Sequence, residues 1–149
     1  MGQIEEFRKD YIVMVEAGFI AVNQSDEDAA VKLFKAAQLL SPTNLLPQIG
    51  MGYIHLCKLE LKQAAKIFQE VLDKDPHHEM AKTFLGLSMS LNPTEVAKGE
   101  KVLEQIAAHG KEEHIKSLAT SALEFVEKFV KKTPSPAQAT IPTTKHKKK

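Results

Sequence analysis

YIVMVEAGFIAVNQSDEDAAVKLFKAAQLLSPTN (Tyr11–Asn44) and LLPQIGMGYIHLCKLELKQAAKIFQEVLDKDPHH (Leu45–His78) align end to end without a gap. Gly18, Gly52 and Gly86 stand 34 residues apart, and the same step links Ala30 to Ala64, Phe34 to Phe68 and Pro42 to Pro76. A fixed period of this length is the mark of a repeated helix-turn-helix unit. One such unit cannot bury its own apolar face, so units stack and share a core. The matched residues fit that picture. Each glycine lacks a Cβ and lets the two helices of a pair approach, with Ala30 and Ala64 serving the same end from the second helix. Phe34 and Phe68 fill the space between the paired helices. Pro42 and Pro76 end the second helix, because the residue before proline disfavours the helical region.

The pattern resembles the tetratricopeptide repeat family over residues 11–110. That resemblance implies an all-α superhelix of about three helix-turn-helix units, at residues 11–44, 45–78 and 79–110, followed by a capping helix. The third unit departs from the pattern. Strict register puts Lys98, Val102 and Gly110 at the alanine, large apolar and proline positions, whereas a one-residue slip supplies Gly99, Leu103 and Ile106. Met14, Gln48 and Lys82 occupy the place early in each first helix where the family carries tryptophan or tyrosine.

Working outward, Ile4 to about Val22 reads as the first helix. Ser25 is expected to N-cap a helix from Asp26 to Leu40, with Asp28 completing a capping box. Leu45–Lys58 and Glu60–Asp73 form the second pair, and His77–Leu91 opens the third. Asn92 and Pro93 are expected to start the next helix, which Gly110 stops. An end helix over 111–132 carries a stripe of Ile115, Leu118, Ala119, Ala122, Val126 and Phe129. It reads as a cap, or as a segment folded over the binding face. Residues 1–132 thus form one helical domain, and 133–149, TPSPAQATIPTTKHKKK, are expected to be disordered.

The net charge of +1 hides an asymmetry. Six of the 20 basic residues are Lys131, Lys132, Lys145, Lys147, Lys148 and Lys149, which leaves 14 against 19 acidic residues in 1–130. The tail is read as solvated, with neither nucleic acid nor membrane expected as a partner. No apolar run is long enough to span a bilayer, the first residues lack a signal peptide's character, and Glu6 stands where a myristoylation motif needs Ser or Thr. A bacterial cytoplasmic location is expected.

The chain offers little for catalysis. The six histidines (His55, His77, His78, His109, His114 and His146) show no zinc-site spacing. Cys57, in an apolar helix, is expected to be a buried packing residue. Glu5–Glu6 and Asp26–Glu27–Asp28 read as helix-start acids. No phosphate loop, nucleophile elbow or dinucleotide fingerprint occurs. The protein is expected not to be an enzyme, with no cofactor, no metal and no small-molecule substrate.

In the tetratricopeptide repeat family the concave face uses mainly the second, fifth, ninth and twelfth residues of each unit. The resemblance therefore implies a partner-binding groove of Ile12, Val15, Phe19 and Val22, then Leu46, Ile49, Tyr53 and Leu56, then Met80, Thr83, Leu87 and Ser90. Ten of these twelve are apolar or aromatic. A carboxylate would find no cation there and would be costly to desolvate, so an amphipathic helix or apolar segment is the expected guest. A short, mildly acidic chain of this kind is similar to the repeat-type chaperones of bacterial type III secretion, most like those that hold the needle subunit. That resemblance implies sequestration of a secretion subunit against premature polymerisation. It also implies a small helical co-chaperone on a face near Ile4, Phe7 and Tyr11. A translocator chaperone of the same system, or a self-associating scaffold without a client, are the alternatives.

Overall fold

The computed structural model describes residues 2–131, apart from the side chains of Ile4, Glu5 and Phe7. The expected disorder of 133–149 lies outside the described residues. Seven α-helices follow one another: α1 (Gly2–Asn23), α2 (Glu27–Leu40), α3 (Leu46–Cys57), α4 (Leu61–Lys74), α5 (Glu79–Leu91), α6 (Val96–His109) and α7 (Glu113–Phe125). A π-helix, Val126–Lys131, continues directly from α7. Among the described residues there is no strand. Each helix packs on the next, and α1 also meets α3, α3 meets α5, and α5 meets α7. This is the contact pattern of a stack of helical pairs.

The turns inside the pairs explain the irregular third unit. After α1, Ser25 N–H bonds to Val22 O and Asp26 N–H to Ala21 O; after α3, Leu59 N–H bonds to Leu56 O and Glu60 N–H to His55 O. Ser25 and Leu59 both take left-handed backbone, at φ 61° and 58°. These are paired Schellman closures, 34 residues apart, in which that conformation brings the last carbonyls their donors. Ser25 is therefore not the N-cap of α2. Asp26 is, accepting from Ala29 N–H at 3.1 Å, because Ser25 is occupied in ending α1. The matching residue in the third unit is Pro93, whose ring fixes φ near −65°. It cannot enter the left-handed region. The chain instead turns through Asn92–Glu95, closed by Glu95 N–H to Asn92 O at 2.9 Å, and α6 begins at Val96 rather than at Asn92 or Pro93. That delay is the one-residue slip. Gly99, Leu103 and Ile106 are accordingly the buried residues of α6.

Within the pairs, a Cβ on Gly18 would stand 2.5 Å from the Phe34 ring, and one on Gly52 would stand 2.6 Å from Phe68. Phe34 and Phe68 are fully buried. Gly110 ends α6 in extended backbone, at φ −58° and ψ 148°, and not through the left-handed stop usual for glycine. The end helix is α7 over Glu113–Phe125 followed by a π-turn, a shorter regular helix than the 111–132 expected. Its Ile115, Ala119, Ala122 and Val126 close over Leu103 and Ile106.

Candidate functional site

The repeat register sorts the first helices into three faces. The first is set by the glycines. Positions three before and four after a glycine share its side of a helix, and that side meets the unit's own second helix. Val15, Gly18 and Val22, then Ile49, Gly52 and Leu56, then Thr83, Gly86 and Ser90 are all buried there. Six residues expected in the groove thus belong to the core: Val15, Val22, Ile49, Leu56, Thr83 and Ser90. The fifth and twelfth positions are one turn from the glycine, so they cannot also face outward. Thr83 and Ser90 satisfy their hydroxyls on Glu79 O and Gly86 O of their own helix.

The remaining six are two turns apart in pairs, Ile12 with Phe19, Leu46 with Tyr53, and Met80 with Leu87. Ile12 is exposed and the other five are half-buried. No lysine or arginine occupies these positions. They form the apolar strip that remains accessible. In α7 the same register brings His114 and Ser121, both exposed, so the strip turns polar at its C-terminal end.

The ninth positions are tied together by rings. Phe34 meets Phe19 edge-on at 5.2 Å, Phe19 lies 5.6 Å from Tyr53, Tyr53 stacks on Phe84 at 5.3 Å, and Phe84 lies 5.5 Å from Phe68. This ladder crosses all three pairs. Tyr53 Oη donates to Asn23 Oδ1 at 2.9 Å, and burial pushes its pKa up to about 12, assisted by the nearby Cys57 thiol. It is a neutral hydroxyl across the physiological range. Cys57 is exposed, which corrects the expectation of a buried packing residue; it lies one residue past Leu56, on the opposite side from the core. Tyr11, expected on a co-chaperone face, is buried with Val15 and Ala37. Its hydroxyl has no hydrogen-bond partner among the described residues, and burial raises its pKa to about 12. Ile4 and Phe7, the other two residues of that face, have side chains outside the description.

The largest cleft, of about 1160 Å³, opens where α5 and α7 begin and α4 and α6 end. Leu46 and Met80 from the strip reach it, beside Leu72, Leu85, Ile106 and Ile115. Its rim carries both signs, from Asp75, Glu79, Lys82, Lys111 and Glu112, with His77, His78 and His109 among them. Glu79 closes it by accepting from Lys111 N–H at 2.7 Å and Glu112 N–H at 3.3 Å. The Lys111 N–H bond is the main cause that holds the Glu79 carboxyl below the usual range. The sequence reading passed over this cleft, since its rim comes from turns that the repeat pattern treats as spacers.

The two ends of the stack differ. On the face toward the preceding pair, Pro47, Gly50 and Ile54 of α3 and Ala81, Phe84 and Ser88 of α5 are all buried. Their equivalents in α1 are Val13, Glu16 and Ile20, with Val13 61% and Ile20 56% exposed. No pair precedes them in the described structure. In α7, Ile115, Leu118 and Ala122 fill this role against α6, which identifies α7 as the first helix of a fourth unit. Its glycine-face equivalents, Ser117, Thr120 and Glu124, are polar and exposed. The C-terminal end is finished in polar residues, and the N-terminal end is left apolar.

Among the described residues no three His, Cys, Asp or Glu side chains are grouped to hold a metal ion, and no helix is long and apolar enough to cross a membrane. The chain matches no protein-family model, and no curated protein matches its sequence.

Proposed function

We propose that this chain is a client-binding chaperone of the type III secretion kind, holding an amphipathic segment of a secretion subunit, in the first place a needle subunit, in the cytoplasm of a bacterium. The observation that carries the reading is the accessible strip of Ile12, Phe19, Leu46, Tyr53, Met80 and Leu87, apolar throughout and without a cation. Such a strip accepts one apolar face of a helix at i, i+3 and i+4 spacing. Each large side chain buried on it contributes about 1.5–3 kcal/mol. A bound subunit would have its self-association face covered. The apolar end at Val13 and Ile20 supports a second, smaller helical partner near the N-terminus, on residues adjoining Tyr11 but not on Tyr11 itself.

The test is co-purification from the native cell, comparing the unaltered chain with Ile12→Glu and Met80→Glu. Tyr53→Asp is a poor probe, because the ring ladder would be disrupted with it. A small helical secretion subunit should come down with the unaltered chain and be lost from both variants while helical circular dichroism is retained. A pore-forming translocator recovered in its place would assign the related class. Recovery of the bait alone, as a discrete dimer, would replace the chaperone reading with a self-associating scaffold.

A further inference from the structure

We propose that the C-terminal end of the chain docks on an anionic lipid surface, with Phe125 and Phe129 entering the interfacial layer and the lysines after Glu127 lying against the headgroups. This goes beyond client binding and does not depend on it. Phe125 closes α7 and Phe129 follows one turn later in the π-helix; they are 46% and 52% exposed. The rings are held on a fixed element. Val126 beneath them is fully buried, and Lys131 Nζ bonds Glu100 Oε1 at 2.7 Å and Glu127 Oε2 at 3.3 Å, fastening the π-helix to α6.

The charge is written next to the rings. Lys128, Lys131, Lys132, Lys145, Lys147, Lys148 and Lys149 follow Glu127, and no Asp or Glu does. Lysines beside an anionic bilayer add their attraction one by one. An apolar insertion or a basic patch alone holds weakly, and the two together hold stably. The lysines considered alone gave the expectation of a merely solvated tail; the exposed ring pair supplies the second signal.

Ring geometry favours lipid over nucleic acid. Base stacking needs an open aromatic face. Here the two rings lie against each other at 5.0 Å, tilted by 39°, and Lys128 Nζ sits 5.3 Å from the Phe129 centroid. Rings engaged in this way can still be buried together in an apolar layer.

The experiment is co-sedimentation of the full chain with phosphatidylserine–phosphatidylcholine vesicles and with phosphatidylcholine alone. Binding is expected only to the anionic vesicles, reversed by high salt. Phe125→Ser with Phe129→Ser should weaken it about tenfold or more, with helicity unchanged. Replacing Lys145, Lys147, Lys148 and Lys149 by Gln should weaken it without touching the folded part. Equal binding to both vesicles, anionic binding indifferent to the ring variant, or capture of an oligothymidine strand where vesicles are ignored would each overturn the proposal.

Discussion

Glu79 joins two parts of the stack through one carboxylate. It sits in the first turn of α5, where the helix dipole favours an anion, and takes two backbone N–H groups from the turn before α7. Those bonds favour the ionised form, so its pKa is lower folded than unfolded. The sign follows from linkage. The contribution is present above the unfolded glutamate value of about 4.3 and is lost as pH falls through the folded value. Wild type should therefore be more stable than Glu79→Gln near neutrality, and the difference should shrink as pH drops below about 4. Urea midpoints of both proteins at neutral and acid pH measure it; a gap that stays constant would remove Glu79 from the acid response.

At the scale of the element, the turns that close α1 and α3 run through a left-handed residue that is not glycine. Leu59 shows the cost most plainly: it is exposed, its Cβ crowds the carbonyl in that conformation, and the penalty is about 1–2 kcal/mol. Leu59→Gly should stabilise the protein by about 0.5–1 kcal/mol, read as a higher urea midpoint, while Leu59→Ala should gain much less. An equal response to both would mean that the backbone there is unstrained. The same turns show what was legible beforehand. The helices could be placed from glycine, alanine and phenylalanine spacing. Their caps could not, because Ser25 and Asp26 are both good N-caps by composition, and only the Schellman closure of α1 decides between them. Pro93 was read as a helix start because that is a favoured place for proline. In this fold the residue stands where two other units need positive φ, which delays α6 by one residue.

At the scale of the whole molecule, the stack is finished at one end and open at the other. Helix α7 and the π-helix supply Ile115, Ala119, Ala122 and Val126 to the core around Leu103 and Ile106. Burying each of the larger ones contributes about 1.5–3 kcal/mol. A chain ending at Gly110 should lose more than about 10 °C in Tm and associate through the bared face. Calorimetry and size-exclusion chromatography would show it, and an unchanged monomer would mean that three units stand without a cap. The sequence by itself determined the all-helical repeat, its period, the close approaches at Gly18 and Gly52 and the one-residue slip, since these are written as spacings along one chain. It also determined that the first helices carry apolar residues on several sides. Only the tertiary structure decided which of those sides is surface. Val15, Ile49 and Leu56 are as apolar as Phe19, Leu46 and Met80, and composition cannot separate them. They separate because a side one turn from the glycine is covered by the unit's own second helix, and a side facing the preceding pair is covered wherever such a pair exists, leaving the strip through Ile12, Tyr53 and Leu87 for something else to meet.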